Sequence, residues 1–278
     1  MTRALDIAKE EHLDDHYVGK VAAFAASFDR RSGLDLRTRS LVLVGQFTVS
    51  RSQARLEDAL RRALAEGLAR EALEVILQCT VYAGDTAVAP ALATFVTVAQ
   101  DLGVLDGLRG AGVPREGIGD RDLEAESRTW DPADLSDPRR ERLMAKYGWR
   151  GVSTGLRLRP RHHLDILEYL DSVDDDFARH WLDFIYDGLY GRGVLDDRTR
   201  LLCLVGELSA LGETTQLREH MRGALRSGAT VAELKEVVLQ TCVNFGMPVM
   251  LRSLALLVGI LDEAGRLAEI GSPRRVAQ

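Results

Sequence analysis

The stretch Leu34-Asp35-Leu36-Arg37-Thr38-Arg39-Ser40-Leu41-Val42-Leu43-Val44-Gly45 returns as Leu195-Asp196-Asp197-Arg198-Thr199-Arg200-Leu201-Leu202-Cys203-Leu204-Val205-Gly206. The same register continues through Ala63-Leu64-Ala65-Glu66-Gly67 and Ala224-Leu225-Arg226-Ser227-Gly228. After a one-residue insertion, Val75-Ile76-Leu77-Gln78 falls on Val237-Val238-Leu239-Gln240, then Gly84 on Gly246 and Gly103 on Gly265. A match of this length with one small gap reads as a duplicated module.

Each copy reads as four helices. Asp35, or Asp196 and Asp197, precedes the first helix, where a carboxylate suits the positive helix N-terminus. Gly67 and Gly228 end the second helix as glycines past a C-terminus. Thr230 with Glu233 is a capping box opening the third. The fourth runs from Thr86 to Leu102 and from Pro248 to Ala264, with Pro248 in the first turn. Leu251, Leu254, Leu257, Val258 and Leu261 make that last helix apolar on more than one face, as in a deeply buried helix or one at a subunit interface. Phe177 to Tyr190 reads as an aromatic lead-in helix to the second copy, with Phe24 and Phe28 as a thinner counterpart in the first.

Composition agrees with an all-α class. Ala, Leu, Arg and Glu dominate, prolines are few, and β-branched alternation is scarce. Apolar residues at 46% and charged residues at 28% describe a globular chain. The net charge of −6, with acidic and basic residues interleaved, argues against nucleic acid as a partner. Met1 to Glu11 is too charged for a signal peptide, and no uncharged apolar stretch is long enough to span a membrane. Cys79, Cys203 and Cys242 are an odd number without close spacing, which fits a cytoplasmic chain with buried thiols.

Residues 105–140, with Gly107, Gly110, Gly112, Pro114, Gly117, Gly119, Asp131-Pro132 and Asp137-Pro138, read as a linker. The organisation expected is therefore a first module over 1–104, the linker over 105–140, and a second module over 141–278.

An aromatic leader and an Arg come first, then Leu-Asp-x-Arg-Thr-Arg and an apolar helix. Leu-x-x-His-x-x-x-Ala-Leu-x-x-Gly follows, then a Glu-bearing helix ending in Leu-Gln. This ordered pattern resembles the carboxymuconolactone decarboxylase family, which shares the alkylhydroperoxidase-D-like fold. The second copy carries it more fully, in Arg192, Leu195, Arg198-Thr199-Arg200, Leu217, His220, Ala224-Leu225, Gly228 and Leu239-Gln240. The resemblance implies two tandem alkylhydroperoxidase-D-like modules packed as an internal pseudo-dimer, with further homo-oligomerisation, such as a trimer of two-copy chains.

The redox relatives carry Cys-x-x-Cys ahead of the His. Here those positions are Glu213 and Gln216, and in the first copy Ser52 and Arg55, with Ala59 in place of the His. A dithiol peroxidase needs a thiolate and a resolving thiol, so that chemistry is rejected. The relatives' Glu after the Thr-Arg pair is replaced by Ser40 and Leu201.

What remains is Glu213, Gln216 and His220, spaced to share a helix face. His220 is the candidate proton donor, with Glu213 and Glu207 as further acid–base groups. Arg192, Arg200 and Gln216 are candidate substrate-binding groups, an Arg being suited to a carboxylate or an enolate. For Arg200 the reading as a structural ion-pair partner is favoured over substrate binding, because Arg39 repeats it. Trp181, Tyr186 and Tyr190 line a pocket or belong to the core. His162–His163 lacks the company of metal ligands and reads as a loop-to-helix start.

The function implied is a cofactor-independent lyase that decarboxylates a carboxylated lactone or related keto acid by proton transfer. Neither cofactor nor metal is expected, and the site is placed in the second copy, with the first as scaffold. The competing readings are a non-catalytic oligomeric or small-molecule-binding protein and a biosynthetic cyclase or isomerase on the same fold.

Overall fold

The computed structural model describes residues 14–109 and 136–271, in which all regular structure is helical. The first half comprises α1 (Asp15–Asp29), α2 (Leu36–Val49), α3 (Gln53–Ala65), α4 (Ala69–Gln78), the single turn α5 (Thr80–Ala83), α6 (Asp85–Asp101) and the short α7 (Leu105–Leu108). The second half comprises α8 (Pro138–Tyr147), α9 (Trp149–Leu158), α10 (Pro160–Val173), α11 (Asp175–Trp181), α12 (Asp197–Leu211), α13 (Thr214–Arg226), α14 (Val231–Phe245) and α15 (Met247–Glu263). A π-helical segment, Leu182–Leu189, extends α11, and a 3-10 turn, Leu267–Ile270, follows α15.

The repeated sequence yields repeated local structure. Asp35 Oδ1 accepts from the Thr38 amide at 2.8 Å and Asp196 Oδ1 from the Thr199 amide at 2.9 Å. In each cap the Thr hydroxyl also donates to Oδ2 at 2.8 Å. These contacts satisfy donors that every helix N-terminus leaves open. Gly67 and Gly228 have φ of 79° and 90°, a left-handed conformation that ends α3 and α13 and that a side chain would strain. Thr230 and Glu233 form the capping box of α14.

The halves also differ. The third helix runs unbroken as α14 in the second half but divides into α4 and α5 in the first. There the Cys79 amide turns to the Ile76 carbonyl at 3.2 Å, a tighter spacing than the α-helix uses. The linker boundaries shift as well. Leu105–Leu108, including Gly107, is helical, and Pro138 already sits in the first turn of α8 behind the Asp137 cap. Gly110, Gly112, Pro114, Gly117, Gly119 and Asp131-Pro132 lie outside the described residues, as does Met1–Glu11. His162 and His163 fall within α10, just after its Pro160 start. α15 buries Met250, Leu257, Ile260 and Leu261 but leaves Leu251 exposed, so one face carries its packing.

The core is continuous through both halves, and its centre is the contact of α2 with α12. Gly45 and Gly206 allow this close approach. A Cβ on Gly45 would lie 2.8 Å from Glu207 Oε1, and one on Gly206 would lie 2.7 Å from Val42 Cγ1. The polar contacts across the joint are reciprocal. Arg39 lies 3.9 Å from Glu236 and donates to Gln240 at 3.3 Å, while Arg200 lies 3.3 Å from Glu74 and donates to Gln78 at 3.2 Å. Arg31 bonds Glu236 at 2.6 Å, and Arg192 lies 3.0 Å from Glu74. Each guanidinium also reaches back to the carbonyl of its own leader Arg, Arg39 to Arg31 and Arg200 to Arg192, both at 3.2 Å. Among the described residues no helix is long and apolar enough to cross a membrane.

Candidate functional site

His220 stands on the buried face of α13, where Leu217, Met221 and Ala224 are its apolar neighbours along the helix. Its Nδ1 lies 2.7 Å from the Gln216 carbonyl, which can only accept, so that nitrogen carries the proton. Nε2 is then the bare nitrogen, and Tyr82 Oη donates to it at 2.8 Å. The two rings meet edge to face, centroids 5.4 Å apart. Burial, aided by the nearby Arg159 cation, holds the imidazole well below the usual histidine range. Burial also lifts the Tyr82 phenol to about 12. At neutral pH the pair is a phenol donating to a neutral imidazole. His220 Nε2 is therefore an acceptor in this arrangement, and the proton shared by the pair sits on Tyr82.

Arg159, at the α9–α10 junction, is buried beside this pair. It donates to Gln216 Oε1 at 3.3 Å and to the Tyr186 hydroxyl at 2.9 Å. His162 Nε2 lies 3.1 Å from the same Gln216 oxygen. No carboxylate among the described residues lies within ion-pair distance of the Arg159 guanidinium, an unusual condition for a buried cation. Gly223 makes room for it, since a Cβ there would lie 2.8 Å from the Leu158 carbonyl and 3.3 Å from Arg159 Cγ.

Aromatic rings close the cluster. Tyr186 packs on His163, Trp181 and Tyr190 at centroid distances of 4.4, 4.9 and 5.6 Å. Burial drives the His163 imidazole down to about 3, with the Arg159 cation a smaller cause. Both His163 ring nitrogens and the Tyr190 hydroxyl are buried without a hydrogen-bond partner. Trp181, Tyr186 and Tyr190 thus belong to the apolar packing and at the same time surround the polar centre.

The remaining sequence candidates are placed elsewhere. Glu213 caps α13: its Oε1 accepts from the Thr215 amide at 2.8 Å and the Gln216 amide at 3.3 Å, turned away from His220 onto the helix end. The shared face expected for Glu213 and His220 does not form, because a residue just outside the helix does not follow its periodicity. Glu207 lies at the α2–α12 crossing, accepting from Gln78 Nε2 at 2.7 Å, and burial raises it to about 7. Its second oxygen has no partner. Arg200 and Arg192 are engaged with Glu74, which gives Arg200 the ion-pair role that its repetition as Arg39 suggested. Gln216 does join the centre, through its side chain and its carbonyl. Among the described residues no three His, Cys, Asp or Glu side chains converge as metal ligands would.

Sequence reasoning missed Tyr82 and Arg159. Tyr82 belongs to the first half, and its counterpart in the repeat is Asn244, so the repeat gives it no emphasis. The available signal was the pairing of the halves, which brings the end of one third helix to the other half's second helix. Arg159 lies in α8–α10, outside the repeated register.

The corresponding space in the first half is open. A cavity of about 380 Å³ lies between α1, α2, α3 and α14, with Ala59 where α13 has His220.

The profile of the carboxymuconolactone decarboxylase family matches residues 175–258, from α11 into α15. The 4-carboxymuconolactone decarboxylase of Acinetobacter baylyi is 34% identical over 82 residues, which cover 30% of this chain and 61% of that protein. An uncharacterized 15.0 kDa protein of Paracoccus denitrificans is 32% identical over 103 residues, covering 36% of this chain and 76% of that protein.

Proposed function

Because the chain belongs to the carboxymuconolactone decarboxylase family, we propose that it is a non-redox, cofactor-independent lyase acting on a carboxylated lactone or related keto acid. The observation that carries this reading is the Tyr82–His220 hydrogen bond beside the buried Arg159, on which the Glu219 carboxylate acts only from beyond ion-pair distance.

A substrate carboxylate supplies the negative charge that Arg159 lacks. Loss of CO2 leaves the electron pair of the broken C–C bond, which a conjugated carbonyl takes up as an enolate. Arg159 donates to the developing enolate oxygen in a site of low dielectric, where such a bond is strongest. The carbon end takes one proton from Tyr82, and solvent returns a proton to the phenolate with His220 Nε2 holding the hydroxyl in place. One proton is consumed and one CO2 released. The bound anion also offsets the Arg159 charge, which makes the His220 imidazole easier to protonate during that return.

The same proposal places the site in the second half and treats the two halves as diverged copies packed as an internal pseudo-dimer. The reciprocal Arg–Glu–Gln contacts across α2 and α12 support it. Homo-oligomerisation of the two-copy chain belongs to the same reading, and its solution mass tests that part.

The test is CO2 release from a panel of carboxylated lactones and β-keto acids. Wild-type protein is expected to release CO2 from at least one. His220→Ala and Tyr82→Phe are expected to lower the rate roughly 100-fold or more, the range general acid–base groups supply. A rate unchanged in both variants, or no release from any substrate, overturns the assignment.

A further inference from the structure

We infer that the cavity in the first half is a second binding site, which takes a monocarboxylate with an apolar, aromatic body. Small side chains create it. In the register of the repeat, Ala25, Ala59 and Asn244 stand where Tyr186, His220 and Tyr82 fill the second half. The opening of about 380 Å³ falls in the range of small-molecule pockets. Its apolar wall includes Phe28, Leu43, Phe47 and Val243, which favours a flat hydrophobic body over a polar one.

The polar lining asks for an acceptor. Gln240 and Arg39 are among the cavity's lining residues, and Gln240 Nε2 and Arg39 Nε are buried without a hydrogen-bond partner. The counterpart of Gln240, Gln78, donates to the Glu207 carboxylate at 2.7 Å, whereas the first half has Gln46 at the Glu207 position. Unmet buried donors are costly, and an acceptor from outside the chain relieves them. Arg55 supplies the charge. Its guanidinium donates to Asn244 Oδ1 at 3.1 Å and lies 5.8 Å over the Phe47 ring, with no carboxylate among the described residues in ion-pair range.

Arg39, Arg55 and Arg62 line the cavity together with Asp29 and Asp58, and Arg39 is matched from outside it by Glu236 at 3.9 Å. Arg62 lies 3.7 Å from Asp29, and Asp58 acts on Arg55 only from beyond ion-pair distance, so Arg55 is the cation best placed to take a ligand carboxylate. A single carboxylate gains the direct contact with Arg55 that Asp58 does not make, whereas a second one is repelled by Asp58.

Calorimetric titration of the full-length chain with naphthoate, and with the neutral naphthamide as its control, tests the site. Naphthoate is expected to bind at one site per chain, with naphthamide roughly tenfold or more weaker. Arg55→Gln is expected to weaken naphthoate by roughly tenfold or more, Ala59→Phe to abolish binding by filling the space, and His220→Ala to leave it unchanged. Circular dichroism reports whether each variant is folded; should Ala59→Phe not fold, the partly exposed Arg55 position still decides. Absence of naphthoate binding overturns the inference, as does equal binding of naphthamide. Binding lost in His220→Ala but kept in Arg55→Gln also overturns it, by moving the anion to Arg159. CO2 release is a separate readout, so failure of the lyase reading and failure of this one are told apart.

Discussion

Replacing Glu207 by Gln is expected to change how stability depends on pH. Glu207 is fully buried where α2 crosses α12, and burial raises its carboxyl from the ordinary 4.5 to about 7. Each pH unit between folded and unfolded values corresponds to about 1.4 kcal/mol, so the complete effect is about 3 kcal/mol. The folded chain holds this proton up to about pH 7, whereas the unfolded chain releases it near 4.5. The contribution is therefore fully present below 4.5 and is lost as pH rises through about 7. His163 acts in the opposite sense. Its folded value of about 3 lies under the ordinary 6.5, so it favours the folded state more as pH rises toward 6.5. His220, also lowered by burial, has the same sign as His163. The wild-type curve mixes both signs, and the difference between wild type and Glu207→Gln isolates one group. Gln46 already occupies the counterpart position in the first half, so an amide is compatible with this environment. Urea unfolding at about pH 5 and about pH 8 should show the variant gaining about 2 to 3 kcal/mol on wild type between them. A constant difference across that range would mean that Glu207 stays ionised inside the protein, and the reasoning would be refuted.

Two further outcomes concern the joint between the halves. Glu74→Ala removes the carboxylate of the fully buried Arg200 and should cost about 3–5 kcal/mol in urea unfolding. Glu236→Ala should cost less, because Arg31 is 41% exposed and Arg39 sits 3.9 Å away; equal midpoints for the two variants would contradict this. Gly206→Ala places a methyl against Val42 Cγ1 and should destabilise by about 1–3 kcal/mol, an effect absent if the helices separate freely.

The helices were legible because their signals are local. Asp35 with Thr38 and Asp196 with Thr199 are caps within one turn, and Gly67 and Gly228 mark helix ends by backbone freedom alone. His220 and Gln216 were found together for a similar reason, since residues one turn apart on a helix are neighbours. Glu213 misled because it lies at the helix start, where its carboxylate satisfies amides instead of following the helical face. Tyr82 and Arg159 were out of reach because their closeness to His220 depends on how separate helices pack. The cavity of the first half was not legible in the sequence, because volume depends on how the helices pack. Ala59 was read as the loss of a His, and in the structure it lines the open space where an imidazole would stand.

Each half lends a side chain to the other: Tyr82 reaches His220, and Asn244 lines the first-half cavity. Two identical chains meeting in this way would carry the same residue at both places, and any substitution would be stamped into both pockets at once. Joining the halves in one polypeptide lifts that constraint. Positions 82 and 244 then vary as separate letters, one narrowing a pocket with a phenol while the other keeps its neighbour open with an amide. On the proposed reading of the halves as diverged copies, the covalent link is what permits this asymmetry between positions 82 and 244.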